Sequence, residues 1–251
     1  MCAVASSSVG FCASHFIRTF MRYLSSSSVT LGTVAFWVGM AVARRSYPSE
    51  YDWRYITISS LVYAERNPSG FLWARGGILL CGMAGLHWTA GLLRRWKQER
   101  IAEPPTGISA LGLGFLCMTL CALISEHWFR IPRAHDFLAL AAFVGICAGM
   151  ALLTFKVVEQ SPRVRKLPGK TRLYARMLAG FAVSPILLAA VAQAYVSHAL
   201  PALPWVSLVW RERGVPAYLS FAFWEWLTCA VFSLYVLVLS RTTAPPGRLQ
   251  I

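Results

Sequence analysis

The polar stretch Arg44–Gly70, RRSYPSEYDWRYITISSLVYAERNPSG, separates two long apolar runs near the start of the chain. It is the longest loop between apolar runs, and it carries three of the ten acidic residues, Glu50, Asp52 and Glu65. The remainder of the sequence is typical of a bundle of membrane helices that presents this loop on one face. The loop therefore defines one face of the predicted bundle.

Apolar residues dominate the chain outside this loop. Of the 251 residues, 57% are hydrophobic and 14% are charged, whereas soluble domains are about 45–50% apolar and about 25% charged. A net charge of +14 could suggest nucleic acid, but the basic residues lie between apolar runs that are too long for soluble core helices. The composition predicts a membrane protein whose partners are membrane lipids and not nucleic acid.

A helix that crosses a bilayer needs about 20 mostly apolar residues. Several runs approach this length, and the alternation of a membrane barrel is missing. We predict an all-α, polytopic membrane helix bundle with six spans. They cover residues 27–42, 70–93, 107–129, 134–155, 173–198 and 216–240. Residues 1–26 and 241–251 are predicted tails around a transmembrane domain at 27–240, with an outer loop at 44–69.

Most of the 24 Lys and Arg residues lie in the tails and in the connections on the tail side. The positive-inside rule therefore makes both termini cytoplasmic and the 44–69 loop external. We expect the cell (inner) membrane. A mitochondrial membrane is the alternative, because residues 1–26 are Ser-rich and contain Arg18 and Arg22 but no acid. The sequence leaves open whether translation starts at Met1 or Met21.

Two short patterns predict how the spans pack. The connection 130–133 between spans three and four is so short that it forces an antiparallel hairpin. Gly145 and Gly149 form a GxxxG pattern in span four. Such a pattern lets helices approach closely, and in a multi-span protein we expect it to serve packing inside the bundle.

Polar residues gather at the predicted outer face. Asp52, Trp53 and Arg54 place an acid and a base beside an aromatic ring. Glu225 is predicted about ten residues into span six, roughly 13–15 Å deep, where a carboxylate is costly unless it is protonated or paired with Arg75, Arg130 or a histidine. The segment 56–63 is too short to span, and it either lies in the interface or re-enters to close a cavity over a lipid headgroup. The predicted ligand-binding residues are Asp52, Trp53, Arg54, Asn67 and Glu225. The alternative is an aromatic belt without a ligand.

Three histidines lie at the predicted outer ends of spans three to five: His127, His135 and His198. With a carboxylate they have the ligand types for Zn²⁺, which would activate water for hydrolysis of a lipid amide or ester. The spacing matches neither HExxH nor HxxxH. Haem ligation by His127 and His198 is a further alternative. We favour interfacial hydrogen-bonding groups, which need no cofactor, with Zn as the alternative.

Three segments resemble a known pattern: Tyr51-Asp52-Trp53-Arg54, Ile58-Ser59-Ser60-Leu61 and Asn67-Pro68 before the second span. The pattern is that of an uncharacterised six-helix membrane family, a domain of unknown function, which is related to DRAM-like (autophagy modulator) and GPI-lipid-remodelling membrane proteins. The resemblance covers the first two spans, and beyond them only the hydropathy agrees. It implies a six-span fold and no established reaction.

Together these observations predict a multi-pass membrane protein with an outward-facing site for a lipid or small solute. We expect it not to be an enzyme, and its oligomeric state stays open. A metal-dependent intramembrane lipid hydrolase that uses the three histidines is one alternative. A small transporter is another, for which Glu225, Gln193 and Pro185 would supply the polar groups and the helix break near mid-membrane.

Overall fold

The structure, a computed structural model, describes residues 27–98, 106–124, 134–160, 169–199 and 209–242. Within these ranges the chain forms helices and no strand, which confirms the all-α prediction. The helices are α1 at 27–45, α2 Ile58–Val62, α3 Phe71–Gln98, α4 Thr106–Leu123, α5 Ala134–Gln160, α6 Gly169–Ala199, α7 Val209–Glu212 and α8 Phe221–Thr242, with a 3₁₀ turn at Ala217–Leu219.

The long helices lie at the predicted spans, and their ends differ from the prediction by up to six residues. Span three was predicted to reach residue 129, but α4 ends at Leu123, and the connection 130–133 lies outside the described residues. Span six was predicted to begin at Pro216, but α8 begins at Phe221 because Pro216 and Ser220 have extended backbones on either side of the 3₁₀ turn. Glu225 is therefore only four residues, or roughly 6 Å, inside its helix, and the predicted depth is wrong.

The surface of the helices is apolar, as lipid requires. Helices α3 and α4 and the segment Ala134–Thr154 of α5 are long and apolar enough to cross a membrane, while Val183–Ala199 and Phe221–Leu237 are shorter apolar segments. Leu80 on α3, Leu140 on α5 and Val191 on α6 are each more than half exposed. Water disfavours an apolar surface of this extent, whereas lipid accepts it. These features are those of an integral membrane protein.

Glycines set the distance between neighbouring helices. A Cβ built on Gly39 of α1 would lie 2.5 Å from the Trp73 carbonyl oxygen of α3. One built on Gly114 of α4 would lie 2.5 Å from the Ile146 nitrogen of α5. The glycines of the GxxxG pattern, Gly145 and Gly149, both face α4, which confirms that this pattern packs the bundle internally.

Helices α1, α3, α4 and α5 run antiparallel, each to the next. Gly107 meets Leu153 and Gly114 meets Ile146, so α4 and α5 form the predicted hairpin. Helix α6 packs on α5 and α8. The indole N–H of Trp37 on α1 donates to the Ser233 hydroxyl of α8 at 3.0 Å and closes the ring. The neighbours around the ring are thus α1, α3, α4, α5, α6 and α8.

The close approach at Gly114 predicts a measurable cost for a single methyl group. Gly114→Ala forces α4 away from the backbone of α5, and we expect it to lower the free energy of unfolding by about 1–3 kcal/mol. Gly76→Ala is the matched control on α3, since a Cβ there meets nothing within 4 Å. Thermal unfolding in detergent should show a lower Tm for the first variant alone. Equal Tm values for the two variants would show that the approach at Gly114 is not tight.

Candidate functional site

The predicted interfacial or re-entrant segment forms a five-residue helix, α2, that is buried against the bundle. It begins at Ile58 because the Thr57 hydroxyl accepts a hydrogen bond from the Ser60 N–H at 3.3 Å and caps the first turn. It ends at Tyr63, whose backbone returns to an extended conformation. Ile58, Leu61 and Val62 are almost fully buried. Helix α2 therefore packs as part of the core and not as a surface loop.

Side chains from distant parts of the chain bind both ends of α2. The Ile58 N–H donates to Oε2 of Glu225 on α8 at 2.8 Å. At the other end, Nε of Arg75 on α3 donates to the Val62 carbonyl oxygen at 3.1 Å. An acid at the first turn and a base at the last turn are the arrangement that a helix dipole favours. The two charged residues thus fix α2 between α3 and α8.

Aromatic and amide groups hold the chain on either side of α2. The Tyr51 hydroxyl donates to the Ile56 carbonyl oxygen at 3.0 Å and accepts from the Trp226 indole N–H at 3.1 Å. Burial raises the pKa of Tyr51 well above its ordinary value, which keeps this hydroxyl protonated as a donor. After α2, the fully buried Asn67 donates to the Ala43 and Leu61 carbonyl oxygens at 3.0 and 3.3 Å.

A cavity of about 110 Å³ lies beneath α2, inside the ring of helices. Its walls come from α1, α3, α4, α5 and α8, and they are mainly apolar, with Val29, Phe115, Ala142, Ile146 and Phe232 among them. Along α8 it extends from Glu225 to Val236, which at 1.5 Å per residue is about 16 Å. A cavity of this order, about 150 Å³, is known to hold a small apolar molecule such as benzene.

Polar side chains meet at the α2 end of this cavity: Ser59, Cys121, His135 and Glu225. Sγ of Cys121 lies 3.3 Å from Nδ1 of His135, and Nε2 of His135 lies 3.4 Å from the Ser59 hydroxyl. The His135 ring also lies 5.0 Å from the Tyr63 ring. His135 and Glu225 are 4% and 6% exposed, so these groups face the cavity and not the surface. A thiol beside an imidazole is the arrangement of a nucleophile and its base.

Glu225 is the predicted ligand-binding residue that lines the cavity. Of its proposed partners, Arg75 donates to Val62 and lies over the Phe71 ring, while Arg130 lies outside the described residues. The backbone N–H of Ile58 occupies one carboxylate oxygen. Asn67, another predicted ligand-binding residue, is buried in the turn that leads to α3.

The other three predicted ligand-binding residues lie together at the surface. Both oxygens of Asp52 accept hydrogen bonds from the Arg54 guanidinium at 2.9 Å, and Arg211 of α7 lies 3.9 Å away. Trp53 stacks on Phe223 of α8 with ring centroids 5.7 Å apart. These contacts fasten the loop to α7 and α8.

The three histidines of the zinc alternative differ in their surroundings. His135 is buried in the cavity wall, His198 is exposed in the last turn of α6, and His127 lies outside the described residues. Among the residues that the structure describes, no group of three or more His, Cys, Asp or Glu side chains is placed to hold a metal ion.

Two residues of the polar cluster, Cys121 and Ser59, were not predicted from the sequence as site residues. Cys121 has the spacing of a core stripe with Cys117, and nothing in the sequence links either residue to His135.

Comparison with known proteins yields no relative: no family model, no curated protein and no solved structure matches the chain. The resemblance to the DRAM-like family therefore stays a prediction.

The Asp52–Arg54 pair predicts an acid-sensitive attachment of the loop. Hydrogen bonds from Arg54 hold the pKa of Asp52 below its usual value. The stabilisation is therefore complete above the unfolded pKa of about 3.9 and is lost as pH falls through the lower folded pKa. Asp52→Asn should lower the local stability of the loop slightly near neutral pH and should weaken the pH dependence of that stability below about pH 4. Limited proteolysis of residues 46–56 over a pH series measures this, with Glu212→Gln at an exposed position on α7 as control. Equal protection of the two variants would mean that the pair does not hold the loop.

Proposed function

We propose that this membrane protein binds a single-chain amphiphile, with the hydrocarbon chain in the cavity and the polar head beneath α2. The observation that supports this proposal is that apolar and polar side chains line different parts of the cavity. Apolar side chains cover the length of the cavity, while Ser59, His135 and Glu225 bring polar atoms to its α2 end. Thr33 and Ser233 also reach the wall, but each hydroxyl donates to a carbonyl one turn earlier in its own helix.

The size of the cavity selects the class of ligand. A volume of about 110 Å³ along roughly 16 Å of α8 suits part of one hydrocarbon chain. A hydrocarbon chain in the cavity contacts the apolar side chains that line it, and these contacts stabilise the helices around it. Because bilayer chains are as apolar as these walls, burying the chain gives little selectivity. The polar groups at the α2 end therefore have to select the ligand.

The same arrangement supports the predicted lipid or small-solute site and changes its location. The loop was predicted to supply the ligand contacts directly through Asp52 and Arg54. In the proposal, the loop instead supplies α2 as a cover, and the contacts come from Ser59 of α2 and from α5 and α8. The external orientation of the site rests on the positive-inside rule.

A photoreactive ligand tests the proposal. A long-chain alcohol with a diazirine in its chain, added to the protein in phosphatidylcholine nanodiscs, should label peptides of α5 and α8 that line the cavity. Ala142→Phe places a ring in the cavity and should reduce this labelling severalfold. Ala141→Phe is the matched control, because Ala141 is exposed on the outer face of α5 whereas Ala142 is 7% exposed and lines the cavity. Equal labelling of both variants would place the ligand on the outer surface and overturn the proposal.

A second candidate function, acyl transfer through Cys121, is favoured by the 3.3 Å contact between its Sγ and Nδ1 of His135. His135 would take the thiol proton, and the sulfur would attack the carbonyl carbon of a lipid ester. The ester C–O bond then breaks, the alcohol leaves with the proton from His135, and the acyl group remains on Cys121 as a thioester. Water would release it as a fatty acid.

An activated ester tests this second candidate. p-Nitrophenyl octanoate should leave one octanoyl group on the wild-type protein, detected by intact mass and removed by hydroxylamine. Cys121→Ser should lose this thioester. Cys117→Ser should keep it, because Cys117 is also buried, one turn away on α4, but does not line the cavity. Equal acylation of the two variants would exclude Cys121 as the acceptor.

A further inference from the structure

We infer that the polar head of the ligand is a primary amine, which binds in its protonated form to the Glu225 carboxylate. This inference rests on the proposed function, since it names the head of the amphiphile whose chain fills the cavity. The observation behind it is that the carboxylate is buried, lines the cavity and has no partner for one of its oxygens among the residues that the structure describes.

Glu225 is 6% exposed and lines the cavity. Its Oε2 accepts the Ile58 N–H at 2.8 Å. Within the described part of the chain, Oε1 accepts no hydrogen bond and no Lys, Arg or His lies within ion-pair distance of the carboxylate. Arg75 of α3, a predicted partner, donates instead to the Val62 carbonyl oxygen. One carboxylate oxygen is therefore turned toward the space that a ligand would occupy.

Burial without a cation is costly for a carboxylate, and one backbone N–H offsets only part of that cost. A ligand with a positive charge supplies a partner for the Glu225 carboxylate at the α2 end of the cavity. An ammonium group has three donors. One suits Oε1, and a second suits the Ser59 hydroxyl, because Ser59 directly follows the residue that Glu225 already binds.

The same geometry disfavours other heads. A carboxylate or phosphate head would face Glu225 with like charge. An alcohol would offer one neutral hydrogen bond, which is weaker than a charge-assisted one. A quaternary ammonium would carry the charge but no N–H donor. The chemical class that fits is therefore a single-chain primary amine, with the chain directed along α8 toward Val236.

Competition against the photoreactive alcohol in phosphatidylcholine nanodiscs measures the head preference. The competitors are n-octylamine, n-octanol, n-octanoate and octyltrimethylammonium. For the wild-type protein, octylamine should displace the probe at about tenfold lower concentration than octanol, since a hydrogen bond to a charged group is stronger than a neutral one. Octyltrimethylammonium and octanoate should displace it less well than octylamine.

Glu225→Gln should abolish the preference for octylamine over octanol. Glutamine keeps an oxygen that accepts the Ile58 N–H, so α2 retains its attachment, but it carries no charge. Glu212→Gln is the control, because it removes the same charge from an exposed position on α7. The quantity compared between variants is the ratio of the octylamine and octanol concentrations that displace the probe. Partition of the two compounds into the bilayer is the same for every variant, so it does not affect the comparison.

The outcomes separate the two proposals. If octanol competes as well as octylamine in the wild-type protein, or if the preference survives Glu225→Gln, the amine inference is overturned while the cavity proposal stands. If the probe never labels the cavity peptides, both are overturned. Should Glu225→Gln fail to fold, the wild-type comparison of octylamine with octyltrimethylammonium still decides, because equal competition would contradict a site built on N–H donors.

Discussion

A five-residue helix buried among apolar helices has more backbone polar groups at its ends than it can satisfy itself. Helix α2 meets this constraint with side chains from three other segments. Glu225 accepts the Ile58 N–H, Arg75 donates to the Val62 carbonyl oxygen, and Asn67 donates to the Leu61 carbonyl oxygen. Each bond joins α2 to a different part of the fold. The position of the loop over the helix ring follows from these hydrogen bonds, because buried backbone groups without partners would be costly.

This constraint also explains the cavity. A helix one turn and a half long covers the end of the ring but does not reach into it, so the space between α1, α4, α5 and α8 stays open beneath it. Glu225, which accepts the Ile58 N–H at the start of α2, therefore also lines the cavity. The same carboxylate thus serves the fold and faces the proposed ligand.

The long helices were predictable because a segment in lipid must satisfy its own backbone, so length and apolarity suffice to recognise it. Their ends were less predictable. The apolar composition after Pro216 does not reveal the 3₁₀ turn at Ala217–Leu219 or the extended Ser220, and this error placed Glu225 too deep. The polar cluster was beyond prediction for a different reason. The contact between Ile58 and Glu225 joins residues 167 positions apart, and that between Cys121 and His135 crosses a helix connection. Only the packing of the ring brings them together.

The charged residues Asp52, Arg54 and Glu225 show which sequence feature points to a binding site. Asp52 and Arg54 stand two positions apart, and they neutralise each other in the structure. Glu225 is the only charged residue between Gly214 and Ser240, so no neighbour along the chain can neutralise it. An acid with a base close to it in the sequence can form an ion pair within its own loop, and that pair then stabilises the loop. An acid isolated in an apolar helix must find its partner across the fold or in a ligand, and for that reason it points more directly to a binding site.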